Sequence, residues 1–224
     1  NKGETIAFIG STGSGKSTLI NLIPRFYDAT SGEILINGID VRDYSFEYLN
    51  NIIGYVPQKA TLFSGDILSN VSFGNNIDGK PSNKKIADAL RVSQASEFVS
   101  KLEDGEKSHI AQGGTNISGG QKQRLSIART IARNPEIYIF DDSFSALDYK
   151  TDSTLRRELR EYTKDATVMI VAQRIGTILN ADKIVVLDNG KCVGVGTHNE
   201  LMKKCKVYKE IALSQVSKEE LENV

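Results

Sequence analysis

Short apolar runs, broken by polar stretches and glycines, set the rhythm of this chain. Ile6 to Ile9 is the first run; it ends at Gly10 and reads as a buried parallel strand. The stretch GSTGSGKSTLINLI follows as a Gly-rich loop opening a helix that stops before Pro24. Residues 32–39, GEILINGI, alternate like a strand and turn at Asn37-Gly38. From about Asp66 to Arg133 the pattern is mainly helical, and IADALRVSQASEFVSKL repeats its apolar residues at helical spacing. After Pro135 strands return at Ile137 to Phe140, Val168 to Ala172 and Ile184 to Leu187, with a helical stretch around Leu155 to Tyr162. Strand and helix in alternation predict a parallel sheet with right-handed crossovers. From Lys203 onward the pattern predicts a charged helix with a frayed end. The expectation is an α/β core interrupted by a helical insertion.

Composition narrows the function classes. Lys plus Arg and Asp plus Glu both number 28 among 224 residues, so charge balance points to no nucleic-acid partner. Cys192 and Cys205 form no CxxC pair, and His109 and His198 stand apart. That pattern argues against a metal cluster or disulfide scaffold and for a reducing compartment. No apolar run approaches the roughly 18 residues of a membrane span, and NKGETIAFIG is too polar and short for a signal peptide. A strand so near Asn1 suggests a segment of a longer protein.

Gly10, Ser11, Thr12, Gly13, Ser14, Gly15, Lys16 and Ser17 satisfy G-x-x-x-x-G-K-[ST] between a strand and a helix, the context this phosphate loop requires. Glycines let backbone N–H groups turn toward a β-phosphate, and the helix N-terminus adds a favourable field. Lys16 is placed to reach the β- and γ-phosphates and Ser17 to ligate Mg²⁺, with Asp141 as the carboxylate near the ion. The chemistry is that of a nucleoside triphosphate site with Mg²⁺. A second phosphate-seeking terminus lies in NISGGQKQRLSIAR: Ser118 is placed as an N-cap, Gly119 and Gly120 expose N–H groups, and Leu125, Ile127, Ala128 and Ile131 form an apolar side. One chain with two such termini suggests that the second meets a nucleotide held by another subunit.

These residues resemble the nucleotide-binding domain of ATP-binding cassette (ABC) transporters of the exporter type, over nearly the whole chain. GSTGSGKST, Gly10 to Thr18, is similar to the Walker A motif. Gln58 in YVPQ matches the Q-loop, and ISGGQ, Ile117 to Gln121, the signature. IYIFD ending at Asp141 matches Walker B, and SALD ending at Asp148 the D-loop. ATLFSGDILSNVSFG, residues 60–74, looks like the exporter version of the segment after the Q-loop.

The resemblance implies a P-loop NTPase core with an inserted helical subdomain and an antiparallel β subdomain cut short at the N-terminus. It divides the chain into a core at 1–65 and 134–202, a helical subdomain at 66–133 and a tail at 203–224. It also implies a head-to-tail dimer that sandwiches ATP between Walker A of one chain and Ser118, Gly119, Gly120 and Gln121 of the other, with Asp148 at that interface. Gln58 would sense Mg²⁺, with Ser17 and Asp141 as the other metal residues. Transmembrane domains, fused upstream, would place this domain at the cytoplasmic face of a membrane. The family's adenine-stacking aromatic falls before Asn1.

Two positions depart from the family pattern. Its general base after Walker B is Glu, and here it is Asp142; its switch histidine is here Gln173, in VMIVAQR. Asp and Glu differ little in basicity. Asp is shorter by one methylene, roughly 1.3 Å, and a misplacement of about 1 Å can cost on the order of a hundredfold. Gln173 can hydrogen-bond a γ-phosphate but cannot carry an imidazolium charge. Together with Gln112, where many homodimeric exporters carry Glu, the pair resembles the degenerate half of a heterodimeric exporter: a weakly hydrolytic site beside an intact signature. Tolerated variation in an active ATPase, a nucleotide-gated association module and a soluble non-transport ABC ATPase remain open alternatives. Arg42 to Tyr44 read equally as a solvated turn or as part of the membrane-domain contact.

Overall fold

Alternate residues of the buried strands carry apolar side chains to both faces, as a parallel sheet covered on both sides requires. In the computed structural model, which describes residues 1–74 and 79–215, Ala7 and Ile9 of β1 (Thr5–Ile9) face one core and Phe8 the other. Tyr138 and Phe140 of β7 (Ile137–Asp141) likewise oppose Ile139.

The main sheet contains β1, β4 (Ile53–Val56), β7, β8 (Thr167–Val171), β9 (Lys183–Asp188) and β10 (Lys191–Gly196). Its order is β10-β9-β1-β8-β7-β4, parallel throughout except where β10 runs antiparallel to β9. The α/β architecture expected from strand and helix alternation is present. Neither β4 nor β10 is anticipated by the apolar pattern. β4 is four residues long and follows α2 (Phe46–Ile52) without a break, so no turn signal separates them.

One face of the sheet packs on α1 (Lys16–Asn21), α2 and the hairpin of β2 (Leu35–Ile36) with β3 (Ile39–Asp40). The strand expected over 32–39 is thus a two-rung hairpin turning at Asn37 and Gly38, both at positive φ. The other face meets α6 (Gly119–Arg133), α7 (Tyr149–Tyr162) and α8 (Ile175–Ile178), then α9 (His198–Lys204) and α10 (Lys206–Gln215).

Between β4 and β7 the chain is mainly helical, as expected. α3 (Ile67–Val71) and α4 (Asn83–Val92) pack against α6, and a small ladder joins β5 (Gly65–Asp66) to β6 (His109–Ile110). The apolar repeat over residues 86–102 does not make one helix. Gln94 enters the left-handed region at φ 59, and α5 (Ser96–Val99) begins as a separate turn. Positions 216–224, where the tail was expected to fray, lie outside the described residues. Among the described residues, no helix is long and apolar enough to cross a membrane.

Candidate active site

The loop after β1 enters α1 through Gly15, whose φ of 94 suits glycine, and no side chain caps the helix. The first-turn N–H groups of α1 are therefore left for a ligand. Lys16 is buried, and its Nζ donates to Gly10 O and Ser11 O, both at 2.8 Å, so the loop closes around the ammonium. Burial pushes its pKa down, against the pull of the Asp142 and Asp141 carboxylates. Ser11, Thr12, Gly13, Ser17 and Thr18 are exposed, whereas Ser14 is buried beneath them.

At the end of β7 two carboxylates diverge. Asp141 Oδ1 accepts from Ser17 Oγ and its Oδ2 from the Tyr55 hydroxyl, each at 2.9 Å. Asp142 turns away because its backbone adopts φ 48, a conformation that Asp tolerates better than most residues. Its Oδ2 accepts from Gln58 Nε2 at 2.9 Å and from Gln173 Nε2 at 2.6 Å. Burial pushes the Asp142 pKa up, while these amide bonds work in the opposite direction. The fold thus gathers Lys16, Ser17, Gln58, Asp141, Asp142 and Gln173 from four separate segments.

The second helix terminus is formed as expected and stays outside this network. Ser118 Oγ accepts from Gln121 N at 3.2 Å and Gln121 Oε1 from Ser118 N at 2.9 Å, a reciprocal capping box. Gly120 allows a close approach, since a Cβ there would lie 3.3 Å from Ala146 O. At Gly119 a side chain would meet nothing within 4 Å, so contacts within the chain do not explain that glycine. Among the described residues, no hydrogen bond links Ser118, Gly119, Gly120 or Gln121 to the Lys16 and Asp141 cluster. Further along α6, buried Gln123 donates to Pro57 O at 3.1 Å and ties the helix to the segment carrying Gln58. Asp148 caps α7 by accepting from Thr151 N at 3.0 Å.

Sequence reasoning does not single out Tyr55, Gln123 or Gln215. For Tyr55 a signal exists: a tyrosine in a strand that pairs with β7 needs a partner for its hydroxyl. Cys192 is exposed, Cys205 is buried, and the described residues hold no His, Cys, Asp and Glu cluster able to bind a metal. The donors facing a cation beside Lys16 are instead oxygens, Ser17 Oγ and the Asp141 carboxylate, a set that fits Mg²⁺.

Comparison with known proteins places this geometry. A family model described as ABC transporter matches residues 1–145. The chain is 50% identical over 213 residues to an uncharacterized ABC transporter ATP-binding protein of Mycobacterium tuberculosis, covering 95% of this chain and 36% of that protein. It is 45% identical over 210 residues to a Staphylococcus aureus protein assigned by name to multidrug export as an ATP-binding/permease protein, covering 94% and 36%. Among solved structures, a bacterial Atm1-family ABC exporter with ATP bound matches with a TM-score of 0.91 at 34% identity, over 96% of this chain and 38% of the other. The chain therefore spans little more than a third of the relatives it matches.

Proposed function

The chain belongs to the ABC transporter family as an ATP-binding domain, and on that premise we propose that it powers export across a membrane through ATP-driven head-to-tail dimerisation. Its own site hydrolyses weakly, and its signature completes the site of a partner domain in a heterodimer. Residues 1–65 and 134–202 act as the nucleotide-binding core, 66–133 as the helical subdomain that carries the signature, and 203–224 as the tail. Transmembrane domains, fused upstream in the longer protein, receive the motion at the cytoplasmic face. The relatives' names and the solved exporter support this reading.

Lys16 and the uncapped start of α1 bind the β- and γ-phosphates. Ser17, Asp141 and Gln58 would hold Mg²⁺, which would supply positive charge to the phosphate oxygens. Asp142 takes the proton of a water that attacks the γ-phosphorus. The bond to the β–γ bridging oxygen breaks, ADP leaves with that electron pair, and inorganic phosphate carries the attacking oxygen. Gln173 turns its amide toward the γ-phosphate. In the partner's site, Ser118, Gly119, Gly120 and Gln121 meet the γ-phosphate of the other nucleotide, with Asp148 beside them.

One observation carries the weak-site reading. The Asp142 carboxylate is a methylene shorter than Glu, and its Oδ2 is engaged by both Gln58 and Gln173. A base so held is poorly placed to activate water. The same observation favours a second reading, association gated by ATP with negligible turnover at this site.

Two substitutions test the assignment. Lys16→Ala abolishes ATP binding to this chain. Ser118→Arg leaves that binding intact, because Ser118 shares no hydrogen bond with the phosphate loop, but blocks phosphate release at the partner's site. Loss of ATP binding to the lone chain in Ser118→Arg would refute the role in trans. Absence of any phosphate release at this chain's site in the assembled pair favours the association reading.

A further inference from the structure

The switch segment between β8 and α8 is held from behind by a side chain that belongs to none of the family motifs. Gln215, in the last described turn of α10, donates through Nε2 to Gln173 O and accepts through Oε1 from Ile175 N, both at 2.7 Å. A carbonyl and an N–H two positions apart are what a strand presents to one residue of a parallel neighbour. A primary amide side chain offers a donor and an acceptor side by side, on separate atoms, and meets both without carrying charge.

The bracket answers a local need. Ile175 is the first residue of α8 and is buried, and Arg174 at the N-cap provides no side-chain cap. Its N–H has no partner within the helix, and leaving it unpaired in a buried place is costly. Gln215 fills that position from 40 residues away. α10 is itself seated by buried Tyr208 and Ala212 and packs on α8 and β9, so the amide sits on an anchored support.

The backbone on either side of Arg174 is therefore pinned, and the Gln173 side chain projects from the pinned segment to Asp142 Oδ2. We propose that Gln215 is a positioning residue for the switch Gln173. By holding Gln173 O and Ile175 N it fixes where the Gln173 amide can reach, and it makes α10 a part of the nucleotide site. The proposal rests on the reading of Gln173 as the group facing the γ-phosphate. Gln173 has no charge to act over distance, so its effect depends on placement, and about 1 Å of error is worth on the order of a hundredfold.

Two variants of the full chain separate hydrogen bonding from packing. Gln215→Met keeps the length and bulk and removes both bonds. Gln215→Glu keeps an acceptor for Ile175 N–H but turns a carboxylate oxygen against Gln173 O. Hydrogen exchange at the Ile175 amide and ATP affinity are read on the chain. Single-turnover phosphate release is read with an intact-signature partner whose own Walker lysine is disabled.

The Ile175 amide should exchange about threefold to tenfold faster in Gln215→Met, the fold-change of one hydrogen bond, and near the wild-type rate in Gln215→Glu. Phosphate release should slow by a similar factor in both, with ATP affinity within about twofold of wild type. Wild-type exchange and release in Gln215→Met would overturn the proposal. So would a loss of ATP affinity as large as the loss of rate, which would mark a general disturbance of the fold. If wild type itself releases no phosphate, the hydrolytic reading fails, and the Ile175 exchange rates alone decide whether the bracket exists.

Discussion

Gln58 and Gln173 donate to the same oxygen of Asp142, from the segment after β4 and the segment after β8 respectively. Asp142 thus joins the segments that carry Gln58 and Gln173, and its side chain is a short one. Asp142→Glu extends the carboxylate by roughly 1.3 Å and should raise phosphate release at this site. On the proposed role of Gln173, Gln173→His adds a γ-phosphate partner that can carry charge. General-base catalysis contributes about 10² to 10⁴ in rate, and the double variant should exceed the product of the single gains because both groups act on one transition state. Glu fits φ 48 less well than Asp, so Asp142→Glu should also melt slightly lower, by roughly 1 kcal/mol of stability. The readout is steady-state phosphate release with an intact-signature partner whose own Walker lysine is disabled. Wild type turning over as fast as the double variant sinks the weak-site reading.

Tyr55 and Ser17 each hold one oxygen of Asp141, so the carboxylate is fixed at both ends. Phe26 packs edge-on against the Tyr55 ring at 5.3 Å and steadies it. Tyr55→Phe keeps the ring and removes the hydroxyl. Outer-shell partners of metal ligands are worth about 10-fold to 100-fold in metal affinity, so the Mg²⁺ concentration that half-saturates Mg²⁺-dependent ATP binding should rise about tenfold. ATP binding without Mg²⁺ should stay within about twofold, since Tyr55 makes no hydrogen bond to the phosphate loop. Manganese binding followed by electron paramagnetic resonance provides a direct readout of the cation; an unchanged Mn²⁺ affinity in Tyr55→Phe rules out this role.

Asp148 ends the D-loop and caps α7, and the Thr151 N–H holds its carboxyl below the usual range. A lowered folded pKa contributes stability above the ordinary value of about 3.9, and that stability is lost as pH falls through the lowered value. Asp148→Ala should therefore melt below wild type at neutral pH, and the gap should close as the pH falls below the ordinary carboxylate value of about 3.9 and through the lowered one. Thermal melts of both proteins across that range test it. A gap independent of pH would show that the carboxylate charge does not carry the cap.

Local pattern by itself determined much of this molecule. The phosphate loop is legible because strand, glycines, lysine and helix are adjacent in sequence, and Ser118 because cap and box partner are three residues apart. Apolar runs fixed β1, β7, β8 and β9, since burial on both faces of a sheet requires them. The family's motifs also pointed to Asp141, Asp142 and Gln173 as candidates without any distance being known. What each of them touches was decided only by the tertiary structure. Tyr55 meets Asp141 across 86 positions, Gln123 meets Pro57 across 66 and Gln215 meets Gln173 across 42. Nothing in the residues near Gln215 requires an amide there, and nothing near Tyr55 names its acceptor. A hydrogen bond of this kind exists only after the sheet order and the seating of the helices have brought distant backbone and side chains together. The break at Gln94 has the same origin: helical spacing continues through it, and packing of α4 and α5 against their neighbours decides where the chain turns.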